Sequence, residues 1–345
     1  TVIVAFLFSV PYLGIQLRAS GALFNVLTDG LISTNLGMIL LTSVVVIYVA
    51  SGGLRSVAYV DCAQAVLLAV GIIILGIITI KWIGGWELFT DGIGVLVKND
   101  LMTGNRLTLE GLSNRVAMPG SIQLVSSGGN AVGGVWTGMM CMTYMFALMG
   151  IQSSPAFSMW AYANKTSEPF RWQQVVASSI IIGIILFTFT IVQGMGADVL
   201  VLNGIFDTIS DSTLVPKLIN LMSESAPWLV GLLAVCALAA MQSTGSAYMS
   251  TFSAMITRDI YKNYFDENVT EERQKFIGRL FVVVVAVFAL FVAIVSTDAL
   301  VMLGGLAVAY GFQMYPALFG NLYSKWVSKS GITMGLVAGL LAVTF

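Results

Sequence analysis

The sequence contains no histidine, and only 10% of its 345 residues are charged, against about 25% in an ordinary soluble domain. The lack of histidine excludes histidine-ligated haem, most catalytic zinc sites and proton relays through imidazole. Three cysteines, Cys62, Cys141 and Cys236, have no metal-ligand spacing, so we interpret them as small packing residues and predict no transition-metal site. A net charge of −1 gives no indication of nucleic-acid binding.

Apolar residues are what the sequence has in excess. They make up 57% of the chain, and the mean hydropathy is +0.91. A soluble core of this size cannot bury so much apolar surface, so we predict an all-α, polytopic membrane protein that is surrounded by the lipid bilayer. The 35 glycines are typical of helices that pack closely in lipid.

Nine apolar runs are long enough to cross a bilayer at about 20 residues each. They cover residues 1–27, 34–52, 61–83, 133–161, 173–197, 226–257, 276–297, 299–323 and 329–345. The first and last runs reach the ends of the sequence, so we expect residues 1–345 to form one transmembrane domain that is truncated at both ends. A long loop, 84–132, separates the third and fourth runs.

Basic residues indicate the orientation of these runs, because connections rich in Lys and Arg stay on the cytosolic side. With the start of the first run in the cytosol, ten basic residues fall in cytosolic connections: Arg55, Lys165, Arg171, Arg258, Lys262, Arg273, Lys275, Arg279, Lys325 and Lys329. This orientation makes the 84–132 loop extracytoplasmic and predicts a multi-pass protein of the cell (inner or plasma) membrane. Thr270, followed by two glutamates, is the predicted N-cap of the seventh span.

Polar residues interrupt the sixth run around Ala240, Ser243, Thr244 and Ser246. One interpretation is a seam of small residues where helices pack and hydroxyls bond back to their own backbone. The other is an alkali-cation site, because a hard cation binds carbonyl and hydroxyl oxygens without needing a formal negative charge. The spacing leaves both interpretations open.

The fourth run contains a second polar stretch, from Gly150 through Gln152, Ser153 and Ser154 to Pro155. Pro155 cannot donate a hydrogen bond to the preceding turn, so we predict a break in the helix. Broken helices at mid-depth indicate the substrate site of a transporter. A simple proline kink whose serines bond back to the backbone is the alternative.

Two further positions break the apolar pattern. The first run contains the polar residues Gln16 and Arg18. One interpretation is that Arg18 has a structural role, either by extending to the lipid headgroups or by pairing with a partner inside the protein. The other is that Arg18 binds an anionic group of the substrate. Asp61 begins the third run, where the helix dipole stabilises an acid. The alternative for Asp61 is that it lines a route for a cation to the cytosol.

These residues lie in stretches that resemble the sodium/solute symporter family. The Tyr48–Gln64 stretch has the Gly-Gly pair followed by an aromatic residue and the Asp-x-x-Gln pattern of that family. The stretch Gly231–Lys262, with its Ala240–Thr244 segment, is the most specific, and Pro316–Gly339 adds support. The similarity runs along nearly the whole chain.

The resemblance implies the inverted-repeat fold of the LeuT class, with core helices 3–10 and one accessory helix present. It implies a sodium site formed by the carbonyl of Ala240 and the hydroxyls of Ser243 and Thr244, together with carbonyls of core helix 1, which is missing from this chain. Asp61 and Ser246 match a second sodium site or an exit path, although Ala247 stands where a further hydroxyl would help.

The same resemblance makes Gln16, Arg18, Gln152, Ser153 and Ser154 candidates for the substrate cavity. We therefore predict sodium-coupled symport of a small organic solute. Arg18 favours a solute that bears a carboxylate. Na⁺ is the predicted coupling ion, and no organic cofactor is expected. No match to the residues typical of sugar carriers is present. A transporter-like sensor module is the alternative, an enzyme is not expected, and the oligomeric state stays open.

Overall fold

The computed structural model describes residues 2–103, 124, 137–210, 212–296 and 300–344. Most of the predicted 84–132 loop therefore lies outside the described residues, apart from a helix that begins at Trp86. The described residues form helices α1 to α13: α1 Val2–Leu27, α2 Thr34–Ile83, α3 Trp86–Thr103, α4 Gly138–Ser153, α5 Pro155–Ala163, α6 Glu168–Val175, α7 Phe187–Leu202, α8 Leu214–Asn220, α9 Pro227–Met255, α10 Glu271–Val295, α11 Leu300–Phe312, α12 Tyr315–Tyr323 and α13 Lys329–Thr344. Two π-helical segments, Val176–Leu186 and Ile256–Lys262, continue α6 into α7 and extend α9.

Five continuous helices within the described residues are long and apolar enough to cross a membrane. They are Val2–Leu27, Thr34–Ile83, Glu168–Leu202, Pro227–Lys262 and Glu271–Val295. The predicted number of nine spans is not confirmed by helix length, because the fourth and eighth runs are each divided into two shorter helices and α13 has 16 residues. The described residues therefore form a multi-pass, all-helical membrane domain.

Helix α2 has 50 residues but folds back on itself at Gly53. This residue has a φ of 63°, inside the left-handed region, which glycine adopts without a steric penalty. Tyr48 and Gln64 both contact Gln242, although a straight helix would separate them by about 24 Å. The two limbs of α2, residues 34–52 and 54–83, therefore both reach the same residue of α9, and they correspond to two separate runs of the sequence.

Helix α1 is the centre of the bundle. It packs against both α2 and α9 as well as α10 and α11, and Phe8, Leu13 and Leu17 on it are fully buried. A second apolar cluster joins the second limb of α2 to α7, α8 and α9 through residues such as Leu75 and Leu200. Because lipid is as apolar as these side chains, close packing rather than removal from water holds the helices together.

The outward faces are apolar as well, as expected for helices that contact lipid. Ile184 and Phe291 are both 62% exposed, and similar side chains cover much of the outside of the bundle. At one end of the bundle, Arg279 donates through Nε to the carbonyl of Ala50, at 2.9 Å, close to the turn at Gly53. Arg279, which the sequence assigns to the cytosolic side, thus lies at the same end of the bundle as the turn at Gly53.

Candidate functional site

The polar stretch of the sixth run lies on one turn of α9, in the interior of the bundle. The hydroxyls of Ser243 and Thr244 both donate to the carbonyl of Ala240, over 3.1 and 3.3 Å. All three residues are half-buried. The structure thus brings together the three oxygens that the sequence predicted for the sodium site, and it also contains the backbone hydrogen bonds of the alternative interpretation.

The spacing of these oxygens suits a hard cation. Oxygens that bind one cation at about 2.4 Å, at angles near 90°, stand about 3.4 Å apart. The two hydroxyls are already at nearly this distance from the carbonyl of Ala240. No group of three or more His, Cys, Asp or Glu side chains suited to a metal ion occurs in the described part of the chain. The three oxygens on this turn of α9 are uncharged, and their role as sodium ligands stays a prediction.

Asp61, on the second limb of α2, reaches α9 beside this turn. The hydroxyl of Ser246 lies 3.0 Å from Oδ1 of Asp61 and 2.9 Å from the carbonyl of Ser243. Ser246 is fully buried. The structure thus connects the acid to the Ala240–Thr244 turn through one serine, and the second site or exit path stays a prediction.

Gln242 is a contact residue that sequence reasoning did not single out. Its carbonyl accepts from the hydroxyl of Tyr48, at 3.1 Å, and its side-chain oxygen accepts from Nε2 of Gln64, at 2.9 Å. Both limbs of α2 therefore hold the segment that precedes Ser243. The signal was available, because Gln64 belongs to the Asp-x-x-Gln pattern and a buried amide inside a membrane requires a partner.

The predicted break of the fourth run is confirmed and lies at Ser154, between α4 and α5. Ser153 and Ser154 are buried, whereas Gln152 is exposed. The Ser153 hydroxyl bonds back to the carbonyl of Met149 at 3.4 Å, and within the described residues the Ser154 hydroxyl has no hydrogen-bond partner. The hydroxyl of Tyr248 interacts with that of Ser154, so these two buried hydroxyls face each other at the break.

Tyr248 was not predicted as a site residue, yet its hydroxyl is a second buried group without a hydrogen bond in the described structure. Its ring packs on Tyr12 and Phe8 of α1, with centroids 5.2 and 5.4 Å away. Helix α9, which carries Tyr248, also packs on α5. An aromatic spaced one turn after Thr244 is the sequence signal that could have indicated it.

Gln16 of the first run lines a cavity of about 330 Å³. The cavity lies between α1, the second limb of α2, α7, α8 and α9, and it includes Ala240 and Gln193 in its wall. Gln193 donates to the carbonyl of Ile72 at 2.8 Å. The wall does not include Arg18 or residues 152–154, so the structure does not gather all predicted substrate residues around this one cavity.

Arg18 lies at the end of α10. Its Nη1 donates to the carbonyl of Ser296, the C-cap of that helix, at 2.6 Å. A guanidinium there interacts favourably with the negative end of the helix dipole. This contact agrees with the structural interpretation of Arg18, and it leaves the substrate interpretation as a prediction.

Known proteins resemble the chain along most of its length. A family model described as the sodium:solute symporter family matches residues 1–339. A sodium/proline symporter of Haemophilus influenzae is 32% identical over 118 residues, which cover 34% of this chain and 23% of that protein. A sodium/proline symporter of Staphylococcus aureus is 24% identical over 312 residues, 89% of this chain and 54% of the relative. An uncharacterised symporter of Bacillus subtilis is 22% identical over 340 residues, which cover 97% of this chain and 62% of that protein.

The chain thus spans less than two thirds of the length of these curated relatives, all of which are carriers rather than enzymes. Among solved structures, a Na⁺-coupled sialic acid symporter in an outward-open state has a TM-score of 0.66 and 16% identity, with 99% of this chain and 74% of the other covered. This likeness establishes the LeuT-like fold. Since the family model covers nearly every residue, the chain belongs to the sodium:solute symporter family.

Proposed function

We propose that the protein carries out sodium-coupled symport of a small organic solute by alternating access. The observation that carries this proposal is the Ala240–Thr244 turn of α9, where two hydroxyls lie 3.1 and 3.3 Å from one carbonyl inside an apolar bundle. Such a set binds Na⁺ without a fixed charge. Sodium then drives uptake because ion and solute favour the same conformations of the carrier.

The solute we propose is a small amino acid or a similar carboxylate. Two of the relatives reported above are named for proline, which bears a carboxylate. The break at Ser154 supports a substrate position at mid-depth, because α5 begins there with Pro155 and the N-terminal end of a half-helix attracts an anionic group. Ser153 and Ser154 would contact the solute, with Gln16 and Gln152 as further candidates.

Arg18 would serve as a partner of the solute carboxylate or as a cap of α10, and the two roles differ in their consequences. If Arg18 binds the carboxylate, Arg18→Lys lowers solute affinity at unchanged thermal stability, because lysine keeps the charge but loses the bidentate geometry. If it acts as a cap, Arg18→Gln lowers the unfolding midpoint and leaves solute affinity unchanged. A binding assay and a thermal scan of both variants separate the roles.

The protein would reside in the cell membrane, with residues 1–345 forming a transporter domain. The start of α1 would face the cytosol, as would the turn at Gly53. Asp61 and Ser246 would then stand on the cytosolic side of the Ala240–Thr244 turn, where an ion leaves the carrier.

The test is uptake into proteoliposomes. We expect an inward Na⁺ gradient to drive accumulation of labelled proline, and an equal K⁺ gradient to leave it at the level of empty liposomes. Excess unlabelled proline should compete, whereas its amide, which lacks the carboxylate, should not. Uptake that is equally fast in both gradients would contradict sodium coupling, and competition by the amide would contradict carboxylate recognition.

The ion can be tested without the solute. We expect the unfolding midpoint of the purified protein to rise in NaCl relative to KCl at equal ionic strength, because a ligand that binds only the folded state stabilises it by mass action. Equal midpoints up to molar salt would contradict the sodium site.

A further inference from the structure

A two-rung polar ladder connects the second limb of α2 to α9. Asp61 contacts Ser246 at one rung, with 3.0 Å between hydroxyl and carboxylate, and Gln64 contacts Gln242 at the next, with 2.9 Å between nitrogen and oxygen. Asp61 and Gln64 are three positions apart, so they share one face of their helix. The ladder therefore runs along a single line between two apolar helices.

Gln64 has an oxygen that nothing in the described residues satisfies. Its amide nitrogen donates to Gln242, but its Oε1 is buried without a hydrogen-bond partner, and the residue is only 7% exposed. An acceptor left unsatisfied in an apolar interior destabilises the folded state, so such groups are rare and call for an explanation. A bound group that supplies positive charge or a donor explains this one.

The surroundings of Gln64 favour a cation. Its neighbours along the ladder are themselves acceptors: the side-chain oxygen of Gln242, which already accepts from Gln64, and the carboxylate of Asp61. The nearby hydroxyl, that of Ser246, is directed to Asp61 and to the carbonyl of Ser243. The Tyr48 hydroxyl in the same contact is directed to the carbonyl of Gln242, and an oxygen that no donor reaches is what a hard cation binds.

The ladder is also continuous with the Ala240–Thr244 turn. Gln242 directly precedes Ser243 in the chain, and Ser246 links the carbonyl of Ser243 to Asp61. Gln64 therefore contacts the residue next to Ser243 on α9. The acid follows one turn further along α2.

We propose that the side-chain oxygen of Gln64 is a sodium ligand, which holds the ion together with Asp61 in the contact between α2 and α9. The inference rests on the proposed sodium-coupled function and adds to it a ligand that lies next to the Ala240–Thr244 turn. Gln64 replaces part of the hydration shell of an ion bound within this apolar contact.

The experiment is a sodium titration of the unfolding midpoint of the intact protein in detergent, with KCl keeping the ionic strength constant. We expect Gln64→Leu to raise the NaCl concentration for half-maximal stabilisation about tenfold, since it removes a ligand. Gln64→Asn, which draws the oxygen back by one methylene, should raise it less. Gln64→Glu should keep or lower it at pH 8, because a carboxylate is a stronger ligand than an amide oxygen.

The matched control is Gln313→Leu. Gln313 also bears an amide with a backbone partner, the carbonyl of Ala309 at 3.2 Å, but it lies at the end of α11, away from the ladder. We expect the NaCl concentration for half-maximal stabilisation of this variant to equal that of the wild type, even if the variant is less stable. This control separates loss of a ligand from general weakening of the fold.

Three outcomes would overturn the inference. If Gln64→Leu titrates like the control, the oxygen does not bind sodium. If Gln64→Glu loses the sodium response as fully as Gln64→Leu does, the residue acts by donating to Gln242 or by holding a water molecule. If the wild type itself lacks a sodium response, the proposed function fails and the inference fails with it, which distinguishes that case from the first two.

Discussion

The hydroxyl of Ser246 on α9 lies 3.0 Å from the carboxylate of Asp61 on α2, although 185 positions separate the two residues in the chain. The same hydroxyl is 2.9 Å from the carbonyl of Ser243. One serine therefore connects Asp61 to the turn that bears the candidate sodium ligands. Stability and sodium binding should both depend on the pair.

For this pair we expect the single variants Asp61→Asn and Ser246→Ala to be non-additive. Each variant removes the same hydrogen bond, so the double variant should be more stable than the sum of the two losses implies, by about 1 kcal/mol. Chemical unfolding in detergent micelles measures the four free energies of the cycle. Additivity within about 0.3 kcal/mol would show that the contact contributes no coupling energy.

Ser243→Ala and Thr244→Val should each weaken sodium binding. Each variant removes one oxygen beside the carbonyl of Ala240, and a bond to a charged partner contributes about 1.5–3 kcal/mol, which corresponds to a tenfold change or more in affinity. The measurement is the NaCl concentration that half-saturates the rise in the unfolding midpoint.

Ser250→Ala is the matched control for these two variants. Its hydroxyl bonds back to the carbonyl of Ala247 at 3.1 Å, in the same manner as Ser243 but lower on α9. We expect it to leave the sodium titration unchanged. An equal weakening by Ser250→Ala would indicate a general effect of serine loss on α9 rather than a site at Ser243.

Gly53→Ala should destabilise the protein by about 1–2 kcal/mol. With φ 63° and ψ −172°, the residue lies in a backbone region that is essentially restricted to glycine, so any side chain there is strained. No other atom lies within 4 Å of the position that a Cβ would occupy, so the backbone conformation alone accounts for the loss. Gly335→Ala, which also has open space but lies within α13, should be neutral or stabilising. Equal effects would contradict the fold-back of α2.

Gly150→Ala should have a larger effect. A Cβ there would collide with the backbone of Gly311 and Phe312, which cannot rotate away as a side chain can. Helix α4 would have to separate from α11, and overpacking of this kind costs about 1–3 kcal/mol or more. Thermal unfolding of the variant measures this loss. Gly194→Ala, with nothing within 4 Å, is the control, and a similar stability of both variants would contradict the close approach.

Several elements follow from short stretches of sequence. Thr270 is the predicted N-cap of α10, and its hydroxyl accepts from the backbone N–H of Arg273 at 3.4 Å. Pro155 ends α4 and begins α5, as predicted, because proline lacks the N–H that would continue the helix. Both features depend on chemistry within one turn, so the local sequence contains all that is needed to predict them.

Contacts between distant helices did not follow in the same way. The sequence placed Gln64 inside a family pattern, but its bond to Gln242 crosses 178 positions and depends on the reversal at Gly53. The sequence likewise left two roles open for the Arg18 guanidinium, a structural contact or a substrate contact. Its contact with the carbonyl of Ser296 depends on how α1 packs against α10. Periodicity and spacing do not specify such partners.

The sequence by itself determined that this protein is a bundle of membrane helices, because 57% apolar residues in long runs have no other stable surroundings than lipid. It also determined which turns are polar and which helix is broken. Only the tertiary structure decided that Ser246 and Gln242, on either side of Ser243 and Thr244, contact Asp61 and Gln64. The reason is that helix packing in lipid depends on the fit of whole surfaces, which no single stretch of residues encodes.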